Sequence, residues 1–180
     1  MIRLVVVDDD AFVLAGINSM LAEQDDLDIA GTATDGQEAI EQVRNVTPDV
    51  VLMDLRMPGM NGIDATRAIK RTPHPPRVLV LTTWDTDDMI RDALTAGADG
   101  FLLKDASPHE LASAIRRVTT GEPTLAPAIT RRLMSAFTSD ATARQQSLDA
   151  LAQLSELETE VALAIARGLT NAEIANQQYM

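Results

Sequence analysis

Five short apolar runs, Ile2–Val7, Leu27–Ala33, Asp49–Met53, Arg77–Leu81 and Gly100–Leu103, alternate with longer amphipathic stretches over the first two thirds of the chain. The runs are rich in Val, Leu and Ile and nearly continuous, the pattern of strands buried on both faces. Between them, apolar residues recur at helical spacing. From Phe12 to Leu21, for example, Val13, Ile17, Met20 and Leu21 share one face. Asp35 with Glu38, and Ser107-Pro108 with Glu110, are capping-box patterns that open helices, and Gly121 closes the last of the set. Five strands alternating with five helices predict an α/β domain with a parallel sheet. Right-handed crossovers put helices on both faces, and the expected strand order is 2-1-3-4-5. In such doubly wound sheets the functional crevice lies outside the carboxyl ends of the strands.

From Glu122 to about Ala150 the pattern loosens. Pro127 to Phe137 can form a helix carrying Ile129, Leu133 and Met134, whereas Thr138 to Ser147 is small, polar and weakly periodic, like a linker. Helical signals return in the capping boxes Ser155/Glu158 and Thr170/Glu173, separated by a stop at Gly168. They suit two short helices joined by a tight turn. The organisation expected is therefore a domain over 1–121, a linker over 122–149, and an all-α segment over 150–180. No internal repeat is present.

Composition narrows the function classes. The chain has 180 residues, 46% of them apolar, and no cysteine. That excludes a disulfide framework, a thiolate nucleophile and a zinc–thiolate cluster. No apolar run approaches the ~20 residues that span a bilayer. Met1-Ile2-Arg3-Leu4 runs straight into a strand without a signal-peptide pattern, so a cytoplasmic location with no membrane partner is expected. The net charge is −12. Residues 1–121 carry 20 acidic and 11 basic side chains, a net of −9, and the remainder a net of −3. Neither part attracts a phosphate backbone.

The chemistry gathers at the strand ends. The first strand runs into Asp8-Asp9-Asp10, the third into Asp54, the fourth into Thr82-Thr83 and the fifth into Lys104. Clustered carboxylates repel one another unless they hold protons or a cation. Oxygen-only ligands favour a hard ion, and Mg2+ suits one or two carboxylates plus a phosphate oxygen. A carboxylate can itself be a nucleophile toward phosphorus, with Lys104 matching the added charge and Thr82 supplying a hydrogen bond. Each residue has a plainer role open to it. Asp8 to Asp10 can cap the next helix, Asp54 can sit in a turn, Thr82 is a common strand residue, and Lys104 can be a solvated lysine. Convergence of all four ends favours the chemical reading.

These residues resemble the motifs of the response-regulator receiver domain of bacterial two-component systems. The matching strings are Val7-Asp8-Asp9, Pro48-Asp49-Val50-Val51-Leu52-Met53-Asp54, Met57-Pro58-Gly59-Met60-Asn61-Gly62, Leu81-Thr82 and Lys104-Asp105. Leu79 to Thr83 and Gly100 to Asp105 are similar to the NarL/FixJ branch. The resemblance covers residues 2 to about 121 and implies a flavodoxin-like fold. It further implies that Asp54 is the phosphoacceptor, and that Asp9, Asp54 and the backbone carbonyl of Arg56 bind Mg2+, with Asp8 acting through water. Thr82 would move its hydroxyl toward the phosphoryl group, Lys104 would pair with it, and Phe101 would occupy an aromatic switch position. Phe101 is also readable as an ordinary core residue of the fifth strand. Trp84 is a candidate for controlling water access, while His74 and His109 lack metal-ligand company and read as surface residues.

The strings Leu154 to Val161 and Arg167 to Ala175 resemble the start of a LuxR-type helix-turn-helix domain. In that family a recognition helix follows, and here the chain ends at Met180 before it. The resemblance therefore implies a response regulator phosphorylated on Asp54 by a sensor histidine kinase and controlling transcription. Promoter DNA is the partner expected of the full-length parent rather than of this chain, and a homodimer is expected on phosphorylation. An alternative is a naturally truncated phosphoreceiver module that binds partners without touching DNA. A Mg2+-dependent phosphohydrolase is disfavoured, because Arg56 stands where a general acid two residues after Asp54 would be needed. The protein is thus expected to be a phosphoacceptor and not an enzyme beyond its own phosphorylation and dephosphorylation.

Overall fold

The computed structural model describes residues 1–83, 86–122 and 124–135. The chain divides into two compact units, Met1–Leu133 and Met134–Met180. The first carries every element named below. The helix-turn-helix expected over 150–180 and the linker over 138–147 lie outside the described residues, as does Trp84.

Strands β1 (Ile2–Val7), β2 (Leu27–Ala33), β3 (Val50–Met53), β4 (Arg77–Thr82) and β5 (Gly100–Leu103) alternate with helices α1 (Ala11–Leu21), α2 (Gly36–Val46), α3 (Gly62–Ile69), α4 (Asp87–Ala96) and α5 (Pro108–Thr119). All strand pairs are parallel, and the order β2-β1-β3-β4-β5 is the one the alternation predicts. One strand was not foreseen. The two-residue β6 (Thr124–Leu125) pairs with Gly100 and Phe101 at the sheet edge. Two residues carry no periodic signature, so this strand exists through its tertiary contacts.

Strand alternation divides the core between the two faces of the sheet. Leu4 and Val6 point to one side and join Ile17 and Leu21 of α1 with Leu111, Ile115 and Val118 of α5. Val5 and Val7 point to the other, against Ala39, Ile40 and Val43 of α2 and Ala65 and Ile69 of α3. A third cluster links Val80 and Phe101 with Ile90 and Ala93 of α4, and Ile129 closes it. The central strands are buried on both faces, which is why they read as unbroken apolar runs.

Caps place the helix starts. Ser107 and Glu110 form the full reciprocal capping box at α5. At α2 only half of the expected box forms: Asp35 accepts from the Gln37 and Glu38 amides, while Glu38 reaches past it to the backbone and hydroxyl of Thr34, both at 2.9 Å. Gly97 and Gly121 end their helices with positive φ (105° and 83°), a conformation that costs glycine little.

Candidate functional site

Parallel strands with short following loops deliver their terminal side chains to one edge of the sheet. β1 and β3 are neighbours, with Val7 level with Met53, so the residues that follow them emerge side by side. The Asp54 amide donates to the Val7 carbonyl at 3.0 Å, and the Asp8 amide donates to the Ala33 carbonyl at 3.1 Å. Both aspartates are thereby held by backbone before any side-chain contact forms. Asp8 and Asp54 are buried and Asp9 is exposed. Each of the three offers a carboxylate oxygen within 4.8 Å of the others.

Lys104 arrives from the far side. Its amide donates to the Thr82 carbonyl at 2.8 Å, which extends the β4–β5 ladder by one bond. Its ammonium lies 2.6 Å from Asp8 Oδ2 and 3.0 Å from Asp54 Oδ1. The ammonium is the close partner of that buried Asp8 oxygen, to which no amide or hydroxyl among the described residues donates. The other oxygens are directed: Asp54 Oδ2 accepts from the Arg56 amide at 3.1 Å, and Asp8 Oδ1 from the Asp10 amide at 3.0 Å. Thr82 is buried at the end of β4, and Phe101 is fully buried beneath α4 and Ile129.

The plainer reading of the acidic triplet holds for one member. Asp10 is the N-cap of α1 and accepts from the Phe12 amide at 2.8 Å. Asp8 and Asp9 are left to face Asp54. His74 and His109 are both exposed, away from this cluster. Sequence reasoning also passed over Gly62. A Cβ there would stand 1.9 Å from the carbonyl oxygen of Asp54, so the residue opening α3 sets the position of the peptide that carries the carboxylate. Its only sequence signal is its place in the Met57–Gly62 string.

Electrostatics distinguishes Asp54 from an ordinary surface acid. Burial pushes its pKa up, and the hydrogen bond and charge of Lys104 oppose that without overcoming it, while the nearby Asp8 adds to the rise. Burial alone would lower the Lys104 pKa, but its contacts with Asp8 and Asp54 raise it above the usual lysine value. Lys104 is therefore a fixed positive charge. Three oxygen ligands of net negative charge and one cation leave room for a hard divalent ion, and the buried Asp8 Oδ2, paired among the described residues with the Lys104 ammonium alone, is an oxygen that such an ion would also satisfy.

The raised Asp54 pKa has a measurable consequence. A carboxyl with a folded pKa above its unfolded value binds its proton more tightly in the folded state. Its stabilising contribution is present below the unfolded pKa and lost as pH rises through the folded one. Asp54→Asn removes that loss while keeping an acceptor for the Arg56 amide. In metal-free buffer at neutral pH the variant should melt above wild type. The gain should fade as the wild-type carboxyl is protonated. A lower melting temperature at neutral pH would mean that the Lys104 pair outweighs the cost of burial.

Comparison with known proteins agrees with this arrangement. The family described as the response regulator receiver domain matches residues 4–116. The transcriptional regulatory protein LnrK of Bacillus subtilis (strain 168) is 35% identical over 184 residues, spanning 100% of this chain and 84% of LnrK. The transcriptional regulatory protein LiaR of the same strain is 36% identical over 182 residues, spanning 100% of this chain and 83% of LiaR. Among solved structures, a two-component response regulator of the LuxR family from Aurantimonas sp. SI85-9A1 is 31% identical with a TM-score of 0.72, over 77% of this chain and 99% of that one.

Proposed function

The chain belongs to the response regulator receiver family, and on that premise we propose that Asp54 accepts a phosphoryl group from a sensor histidine kinase to control transcription. The observation that carries this reading is the convergence on Asp54 of two further carboxylates and a lysine ammonium 3.0 Å away. In the transfer, an Asp54 carboxylate oxygen attacks phosphorus. The new O–P bond forms as the P–N bond of a phosphohistidine breaks, and the imidazole nitrogen keeps the bonding pair. With acetyl phosphate the same attack expels acetate. Burial makes the Asp54 oxygen more basic than that of an exposed aspartate, and so a better nucleophile.

Each side chain has a part in that step. Lys104 already touches Asp54 Oδ1 and would follow the charge onto the phosphoryl oxygens. The Arg56 amide holds the second carboxylate oxygen and fixes the direction of attack. Thr82 would turn its hydroxyl toward the product. Asp8, Asp9, Asp54 and the Arg56 carbonyl would hold Mg2+, whose role when bound is to neutralise charge on the transferring group. Exposure of Asp9 suits an ion that keeps several of its waters.

Transcriptional output rests on the likeness to LnrK and LiaR and on the LuxR-type strings within 150–180. DNA contact is assigned to the LuxR-type domain of the full-length parent, and the receiver supplies the signal, with a homodimer as the phosphorylated form. The protein acts in this reading as a phosphoacceptor in the cytoplasm. Intact mass after incubation with Mg2+ and acetyl phosphate tests the chemistry. Wild type should gain one phosphoryl group that Asp54→Ala does not, and chelation of Mg2+ should abolish the gain. An adduct equal in both proteins would move the acceptor elsewhere, and none in either would withdraw the assignment of Asp54, Lys104 and Thr82.

A further inference from the structure

The amino end of the sheet, opposite Asp54, carries an open cleft of roughly 890 Å3. One side is the end of α2 and the approach to β3, with Val43, Arg44 and Thr47. The other is the proline-rich stretch 72–77 that leads into β4. That size, and a mainly apolar lining with a few polar groups, are those of small-molecule sites. The proline-rich side is fastened in place. Thr72 Oγ1 donates to the Ile69 carbonyl at 2.7 Å, Lys70 Nζ to the Pro76 carbonyl at 2.9 Å, and the Arg77 amide to the Asp49 carbonyl at 2.9 Å. Fixed φ angles at Pro73, Pro75 and Pro76 stiffen what lies between. The cleft is therefore formed before anything enters it.

The α2 side holds a strained residue. Thr47 has φ 44° and ψ 66°, and among the described residues it is the only non-glycine with positive φ. For a β-branched side chain that conformation is an outlier, of the kind that gathers at ligand clamps. Charge then gives the cleft a sign. Arg77 is paired with Asp99 at 2.9 Å. Asp49, the one acid among the described residues lining the cleft, accepts from the Arg3 amide at 2.8 Å. Arg44 on one side and His74 on the other are both exposed, and neither is bonded to or paired with another described residue. In a chain of net charge −12, the cleft thus offers a cation without a counter-charge beside flat ring faces.

We infer that this cleft binds a small anion carrying a planar apolar ring, the chemistry shared by nucleoside monophosphates and aromatic carboxylates. The ring lies against Pro73, His74 and Pro75, and Arg44 holds the anionic group by charge-assisted hydrogen bonds. A phosphate or carboxylate accepts two parallel bonds from one guanidinium, so a single arginine can orient it. The site is separate from the Asp54 pocket and needs neither Mg2+ nor phosphorylation.

Titration of the full chain with adenosine monophosphate and with naphthoate, read by amide chemical shifts, tests the site. Mg2+ is withheld so that no phosphate is drawn to Asp8, Asp9 and Asp54. Either probe should give saturable shifts at residues 43–47, 49, 72, 74 and 77. Where adenosine monophosphate binds, adenosine (the ring without the charge) and inorganic phosphate (the charge without the ring) should each bind at least about tenfold more weakly. Arg44→Gln, a change at an exposed position that leaves both walls intact, should weaken either probe about tenfold. Saturation by adenosine monophosphate alone assigns the cleft to nucleoside phosphates, and by naphthoate alone to aromatic carboxylates. The inference is overturned by no saturable shift with either probe, by shifts centred elsewhere, by equal binding of adenosine, or by unchanged affinity in Arg44→Gln.

Discussion

Replacing Gly62 by alanine should cost about 3 kcal/mol, the upper end for overpacking, and lower the melting temperature by roughly 10 °C. The added methyl would meet the Asp54 carbonyl oxygen at 1.9 Å and the Asp54 carbonyl carbon and Leu55 Cα at 2.9 Å each. All three are backbone atoms, so no rotamer change relieves the clash. The Gly62 amide also donates to the Leu55 carbonyl at 3.1 Å, which ties the start of α3 to the same peptide. The peptide must move outward, and it carries the Asp54 carboxylate with it. That carboxylate is held at 3.0 Å by Lys104 and at 3.1 Å by the Arg56 amide, and neither contact survives a shift of about 1 Å. Misplacement on that scale can slow a positioned reaction about 100-fold, so phosphorylation by acetyl phosphate should fall by at least about tenfold. Thermal melting and the time course of the adduct measure the two effects together. A variant that melts within about 1 °C of wild type and is phosphorylated normally would show that this peptide has slack.

Gly62 also marks the boundary of what the sequence makes legible. Asp8, Asp54, Thr82 and Lys104 each follow an unbroken apolar run, so a buried strand predicts where its end must be. Parallel pairing then predicts that the ends meet. The five strands, their order and the cluster of Asp8, Asp9, Asp54 and Lys104 can be reasoned out that way. Gly62 cannot, because its requirement comes from contact with a peptide eight positions earlier across a loop of no fixed period. β6 escapes for a similar reason: its two residues pair only because Gly100 lets them approach. The reach of Glu38 to Thr34 in place of Asp35 escapes too, since two acceptors competing for the same few amides are decided by local geometry. Periodicity reports which face is buried. It is silent on close approaches between backbones.

Asp99 is the third kind of residue that pattern reading passes over, a loop acid whose partners are set by the fold. It stands just before β5, at the opposite end of the sheet from Asp54. Its Oδ2 accepts from Lys70 Nζ at 2.5 Å and from the Val78 amide at 2.8 Å, and its Oδ1 from Arg77 at 2.9 Å. Lys70 also donates to the Pro76 carbonyl at 2.9 Å, so one carboxylate ties the end of α3, the 73–76 loop, β4 and β5 together. Burial raises the Asp99 pKa, but Lys70, the Val78 amide and Arg77 together bring it below the usual aspartate value. The pH dependence therefore has the opposite sign to that of Asp54. A depressed folded pKa contributes stability above the unfolded value, about 3.9, which is lost as pH falls through the folded one. Asp99→Asn keeps an acceptor but removes the charge that Lys70, itself only 16% exposed, is seated against. It should destabilise by about 2–3 kcal/mol at neutral pH, somewhat less than for a fully enclosed pair. The difference from wild type should shrink once the pH lies below both pKa values. Urea titrations of both proteins at neutral and strongly acidic pH give the two differences. An equal loss at both would assign the effect to packing, and no loss at neutral pH would mean that Lys70 finds a second partner. The two ends of one sheet thus use the same side chain oppositely: at the amino end an aspartate stabilised by its charge, at the carboxyl end one whose charge is held at a cost.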